Sequence, residues 1–84
     1  MKIYSYKGRS NLAGERIREA RESAGMSQEE LAAQLQLRGL EITQKSISRI
    51  ETGLRVLPDY ELLFFSEALN KPIAWLLEEE SANA

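Results

Sequence analysis

The segment Ser27-Gln28-Glu29-Glu30 constrains the fold more than any other part of the chain. It has the form of a capping box, in which a hydroxyl at the N-cap and a carboxylate three residues later each satisfy a backbone NH group of the other. A helix is therefore predicted to begin at Gln28, and Gly39 is predicted to end it. Its apolar stripe follows at helical spacing and consists of Leu31, Ala32 and Leu35, with Leu37 extending it.

The same reasoning predicts four more helices joined by short loops. Apolar residues recur at helical spacing, and glycine or proline separates one stretch from the next. Alternation typical of a strand is confined to residues 3–6. The predicted fold is therefore an all-α, five-helix bundle. The other four helices run from Leu12 to about Ala24, from Gln44 to about Thr52, from the residue after Pro58 through Leu69, and from Pro72 through Leu77.

Length and composition exclude several classes of protein. A chain of 84 residues, 43% hydrophobic and 29% charged, suits one globular domain. It contains no cysteine and no histidine, which excludes disulfides, the common zinc frameworks, thiol nucleophiles and imidazole bases. We therefore expect neither an enzyme nor a metal or cofactor site. The sequence shows no signal peptide and no apolar run near the ~20 residues of a membrane span, so a cytoplasmic protein is expected.

Charge is distributed unevenly along the chain. The net charge is -2, but residues 1–55 hold ten of the eleven Lys and Arg residues against seven acidic ones. Residues 56–84 hold only Lys71 against six acidic residues. One face of the domain can therefore meet phosphate although the whole chain is acidic. The acidic end, Glu78-Glu79-Glu80, is expected to lie in solvent away from DNA.

The predicted helix over residues 44–52 carries the functional hypothesis. Ile47 and Ile50 are expected to face the core. A short helix with a polar outer face fits the major groove of DNA, where glutamine pairs with adenine, arginine or lysine with guanine, and serine with either. Each good pair discriminates by about 1–3 kcal/mol. The residues expected to contact DNA are Thr43, Gln44, Lys45, Ser48 and Arg49, together with Gln28, whose place at a helix N-terminus favours a phosphate oxygen.

Several segments of the chain together form one recognisable pattern. They are Gly14-Glu15-Arg16-Ile17-Arg18, Arg21, Gly25-Met26-Ser27-Gln28-Glu29-Glu30-Leu31-Ala32, Ile47-Ser48-Arg49-Ile50-Glu51-Thr52-Gly53, and Ala68-Leu69-Asn70-Lys71-Pro72-Ile73-Ala74-Trp75-Leu76-Leu77. This pattern resembles the phage repressor and Cro family, also called the XRE family. The resemblance covers about residues 12–77 and implies a lambda-repressor-like fold that binds a palindromic operator as a dimer. It implies that Gln28 contacts phosphate, that the third helix reads bases, and that Arg21 and Glu51 form a structural ion pair.

The connection between the second and third helices departs from the family. The family has a single glycine turn there, whereas this chain has about five extra residues between Leu35 and Ile42, and Gln36 stands at the usual glycine position. We predict that the second helix gains a turn and ends at Gly39. Leu40 and Ile42 are predicted to anchor the longer connection to the core.

The predicted organisation is a flexible N-terminal arm over residues 1–11, a helix-turn-helix domain over 12–77 and an acidic tail over 78–84. Lys2, Lys7 and Arg9 could follow the phosphates or belong to a frayed end. Leu63 and Phe64 exceed the apolar stripe that the fourth helix needs, so this helix, or the fifth, is a candidate dimer surface.

Two functions from different classes are compatible with these features. The first is a sequence-specific transcriptional regulator, most simply a repressor that acts as a homodimer on double-stranded DNA. The alternative is a protein-interaction module, such as an antitoxin or adaptor, that uses the same fold to hold a protein partner.

Overall fold

The computed structural model of the protein describes residues 5–79. Within this range the chain forms helices and no strand, apart from an isolated bridge between Tyr6 and Arg9. The all-α, five-helix prediction is therefore confirmed. The helices are α1 Gly14–Ser23, α2 Gln28–Leu37, α3 Gln44–Glu51, α4 Asp59–Leu69 and α5 Ile73–Leu76. None of the helices within residues 5–79 has the length and apolar character needed to span a bilayer.

Local side-chain contacts fix where the central helices begin. In the capping box of α2, the Ser27 hydroxyl accepts from the Glu30 backbone NH at 3.0 Å, and the Glu30 carboxylate accepts from the Ser27 NH at 2.8 Å. The hydroxyl of Thr43 accepts from the Ser46 NH at 3.1 Å at the start of α3. Each contact satisfies a backbone donor that a helix start leaves without a partner.

The core lies where α3 packs against α1 and α2, and α4 closes it from the other side. Each fully buried aliphatic or aromatic side chain contributes about 1.5–3 kcal/mol. Trp75 is half-buried against this core, and its ring lies 4.5 Å from the charged groups of both Arg16 and Lys71. The side chains with no exposed surface are Ile17, Leu31, Leu35, Ile47, Ile50, Phe65 and Leu76.

The longer α2–α3 connection has the predicted form. Gly39 adopts a left-handed conformation with φ +98°, and the Leu40 NH bonds back to the Leu35 carbonyl at 3.0 Å, which closes the helix end. Leu40 and Ile42 are buried, so both anchor the connection. Leu37 does not extend the apolar stripe as expected, because it is 80% exposed and points away from the core.

The segment before α1 differs from the expected loose arm. Residues 1–4 lie outside the described residues, but residues 9–11 pack against the end of α3, and Asn11 is buried. The Lys7 ammonium group pairs with the Glu79 carboxylate at 2.8 Å, and Glu78 pairs with Arg16 at 3.1 Å. These contacts form because the last carbonyl groups of α3 need donors and because the two ends of the described chain carry opposite charges. Of the acidic end, Glu80 lies outside the described residues.

Candidate nucleic-acid interface

Helix α3 separates an apolar inner side from a polar outer side. Ile47 and Ile50 have no exposed surface and hold the helix against α1 and α2. The positions on the opposite side fall at i, i+1, i+4 and i+5, which share one helix face. This outer face and the N-cap present exposed Thr43, Gln44, Lys45 and Arg49, with Ser48 half-buried beside them.

A buried ion pair fixes α3 to α1. Arg21 donates to the Glu51 carboxylate twice, from Nε to Oε2 at 2.7 Å and from Nη2 to Oε1 at 3.0 Å. The two side chains are only 11% and 2% exposed. The hydrogen bonds that Arg21 donates to Glu51 raise the pKa of Arg21 against the opposing effect of burial. The pair lies at the positions that the resemblance implies, and it neutralises an acidic group that would otherwise lie behind the polar face of α3.

A chain of amide contacts continues from this pair towards solvent. The Gln28 amide Nε2 donates to Glu51 Oε1 at 2.9 Å, and the Gln44 amide Nε2 donates to Gln28 Oε1. Residues from all three of the first helices are thereby joined. The local sequence does not predict this arrangement, because Gln28 and Gln44 are 16 positions apart and Gln28 and Glu51 are 23 apart.

Both glutamines keep hydrogen-bonding groups that the amide chain does not use. Each Nε2 carries two N–H groups and uses one of them, and the Gln44 Oε1 accepts no hydrogen bond among residues 5–79. Gln44 can therefore still offer the donor and the acceptor that the edge of adenine requires. Gln28 keeps one N–H at the first turn of α2, beside backbone NH groups that favour an anion.

Ion pairing inside the domain leaves the cations of α3 free. Among residues 5–79, four basic side chains have no acidic oxygen within 4.0 Å, and two of these are the α3 residues Lys45 and Arg49. A third, Arg38, caps the C-terminus of α2 in the connection that leads into α3. The fourth, Lys71, lies over Trp75. Positive charge that is not already neutralised is therefore concentrated at α3 and its approach, although the net charge is -2.

Of the three other basic residues considered from the sequence, the two that the structure describes do not extend this surface. Lys2 lies outside the described residues. The Lys7 ammonium group is bound to Glu79, a contact that raises the pKa of Lys7. Arg9 turns inward and donates from Nη2 to the Glu51 carbonyl at 3.0 Å. Arg38 was not among the residues expected to contact DNA, and no motif in the sequence distinguishes it from other surface arginines.

Large apolar side chains are exposed after α3. Leu54 and Val56 of the α3–α4 loop are 65% and 38% exposed, and Tyr60 and Leu63 of α4 are 60% and 49% exposed. We call these four residues the loop–α4 patch. Phe64, which was expected to be surplus as well, is instead half-buried and packs against the core.

Two consecutive packed helices, the second with an apolar inner side and a polar outer face, define a helix-turn-helix domain. The model of the helix-turn-helix family matches residues 17–76. The chain belongs to the Cro-type helix-turn-helix family, the XRE family. This is a family of DNA-binding regulatory domains and not of catalytic ones. No curated protein and no solved structure matches the chain at a significant level.

Proposed function

We propose that the protein is a sequence-specific transcriptional repressor that inserts α3 into the major groove of an operator. The observation that carries the proposal is the outer face of α3, where Lys45 and Arg49 have no acidic partner among residues 5–79 while two isoleucines hold the helix from beneath. A groove lined by phosphates attracts such a face and admits one helix.

The side chains of this face have distinct proposed roles. Gln44 would pair with adenine through the amide groups that its bond to Gln28 leaves free, and Arg49 or Lys45 would pair with guanine. Ser48 can serve either base. Thr43 at the N-cap and Gln28 in the first turn of α2 would contact phosphate and set the register of the protein without reading sequence.

We propose that the protein binds a palindromic operator as a dimer, in which the two copies contact each other through the same surface. The loop–α4 patch supports this, because it exposes apolar side chains immediately after α3, and a two-fold interface requires one self-complementary surface. Leu63→Ser should shift the protein towards monomers in sedimentation analysis, and circular dichroism should show that these monomers keep their helices. A protein that is monomeric both free and on DNA would contradict the dimer.

Selection of bound sequences from a random duplex pool tests the proposal, followed by affinity measurements at several salt concentrations. The selected consensus should be palindromic, and binding should weaken steeply with salt. Gln44→Ala and Arg49→Ala should each lose about 1–3 kcal/mol of discrimination at one base pair. Gln28→Ala should weaken binding to all sequences alike.

Matched controls exist on the same domain. Gln34→Ala removes an exposed glutamine of α2, and Arg18→Ala removes an exposed arginine of α1 that pairs with Glu22. Neither should change discrimination. Equal, weak binding to every duplex at physiological salt, unaffected by the α3 substitutions, would refute the proposal.

A protein-interaction module, such as an antitoxin or adaptor, is the second candidate. The net charge of -2 and the exposed loop–α4 patch favour it. A defined protein partner that covers α4, together with no retention on DNA at low salt, would support it over the repressor. No catalytic role is proposed, and the cytoplasmic location stays a prediction.

A further inference from the structure

The segment before α1 closes the C-terminal end of α3. Three successive residues supply donors: the Arg9 side chain to the Glu51 carbonyl at 3.0 Å, the Ser10 backbone NH to the Gly53 carbonyl at 2.8 Å, and the Asn11 side chain to the Ile50 carbonyl at 2.9 Å. The last carbonyl groups of a helix have no partner within the helix. We call residues 9–11 the N-terminal clamp. Arg9 provides the partner of the Glu51 carbonyl, and Asn11 adds a second donor to the Ile50 carbonyl, which also accepts from the Gly53 NH at 3.1 Å. The two side chains lie 42 and 39 positions away from these carbonyl groups.

Asn11 is the centre of the clamp. Its side-chain amide Nδ2 donates to both the Ile50 carbonyl and the Arg55 carbonyl, at 2.9 and 2.8 Å, and its Oδ1 accepts from the Gly14 NH at 2.7 Å. Both N–H groups are used, and the residue is 8% exposed. One buried amide therefore joins the start of α1, the end of α3 and the loop that follows α3.

Two glycines lie against the clamp, Gly14 at a backbone carbonyl and Gly53 at the Arg9 side chain. A Cβ atom on Gly14 would overlap the Ile50 carbonyl oxygen, and a Cβ atom on Gly53 would lie 2.7 Å from the guanidinium carbon of Arg9. Gly53 also has φ +80°, a conformation that other residues rarely adopt. The start of α1 therefore lies directly against the end of α3, with no room for a side chain at Gly14.

We propose that the N-terminal clamp is a positioning element that aims the C-terminal half of α3, so that operator discrimination depends on residues before the matched family segment. The inference rests on the proposed DNA-reading function. Ser48 and Arg49 lie directly before the carbonyl groups that the clamp holds. The ion pair through Glu51 holds a side chain of α3, whereas the clamp holds its backbone and so the direction of its axis.

A small displacement of the end of α3 is enough to disturb its contacts with bases. Eight residues of α3 span about 12 Å, so moving its end by about 1 Å tilts the helix by about 5°. Useful hydrogen bonds occupy a range of only about 0.5 Å in donor–acceptor distance. Loss of the clamp should therefore weaken base contacts from Ser48 and Arg49 more than contacts from Gln44, at the other end.

The experiment measures how strongly each variant prefers the selected duplex over an altered one. Loss of a phosphate contact or of stability does not change this preference. Affinity is measured for two duplexes. One is the duplex selected by the wild-type protein, and the other is the same duplex altered at the base pair where Arg49→Ala loses discrimination. The ratio of the two affinities is compared for wild type, Asn11→Ala and Arg9→Met, at a temperature at which circular dichroism shows each variant folded. Ser66→Ala is the matched control, since it removes a bond to the Lys71 carbonyl at the α4–α5 corner.

We expect Asn11→Ala to lower the ratio at least threefold, Arg9→Met to lower it less, and Ser66→Ala to leave it within twofold of wild type. An unchanged ratio in folded Asn11→Ala overturns the inference, as does an equal loss in Ser66→Ala. If Asn11→Ala does not fold, Arg9→Met decides by the same comparison with Ser66→Ala, and a ratio equal to wild type overturns the inference. A wild-type protein without any preferred duplex refutes the proposed function as well, whereas a selective wild-type protein with an indifferent clamp refutes the inference alone.

Discussion

Replacing Glu51 by alanine tests how the reading helix is fixed to the rest of the domain. The substitution removes the acceptor of three hydrogen bonds, two from Arg21 and one from Gln28. Arg21 then keeps its bond to the Met26 carbonyl at 2.8 Å, but its nearest remaining carboxylate oxygen, on Glu22, is 4.0 Å away. A guanidinium group only 11% exposed would be left with little to balance its charge.

The expected cost follows from that burial. Breaking a buried ion pair from one side costs about 3–5 kcal/mol when the remaining charge is desolvated. Because Arg21 retains one carbonyl partner, we expect about 3 kcal/mol. A domain of this size has a free energy of unfolding of roughly 4–13 kcal/mol. At about 4–8 °C per kcal/mol, the melting temperature should fall by about 12–24 °C.

A double variant separates the ion pair from the rest of the site. Arg21→Met with Glu51→Met removes both charges and keeps side chains of similar length, so it should cost much less than the two single substitutions added together. Urea denaturation followed by circular dichroism measures the wild type, the two single Met variants, the double variant and Glu51→Ala. The reasoning would be refuted if the double variant cost as much as the two single Met substitutions added together. A cost below about 1 kcal/mol for Glu51→Ala would refute it as well, because the pair would then behave like an exposed one.

Three further outcomes are expected. Gly14→Ala, which would ordinarily stabilise a helix, should lower the free energy of unfolding by about 1–3 kcal/mol because its methyl group meets a carbonyl oxygen of α3; a higher melting temperature would contradict this. Glu61→Ala should cost about 1–3 kcal/mol in urea denaturation, since this buried carboxylate accepts two bonds from Arg55, at 2.7 and 3.2 Å, and a change within experimental error would count against it. The hydrogen bond from Lys7 lowers the pKa of Glu79, so their contact should persist above the ordinary pKa of the carboxyl group and be lost as the pH falls through the lowered value. A titration by nuclear magnetic resonance that finds an ordinary or raised pKa for Glu79 would rule this out.

The sequence by itself determined where α2 and α3 begin and which side of α3 faces inward. Its signals act within about four residues, as in the capping box from Ser27 to Glu30, so neighbouring side chains suffice to specify them. The spacing of Ile47 and Ile50 likewise identified the inner face before any tertiary contact was known. The same local logic placed the left-handed turn at Gly39.

Only the tertiary structure decided what the polar groups bind. Gln28 carries the signature of a phosphate contact, yet its partners Gln44 and Glu51 come from another helix. The segment around Asn11 looks like a loose end, yet its side chain donates to the carbonyl groups of Ile50 in α3 and of Arg55 in the loop after it. Helical spacing reports which side of a helix is apolar, but it does not record which distant carbonyl or carboxylate a donor meets, because that depends on how the helices pack.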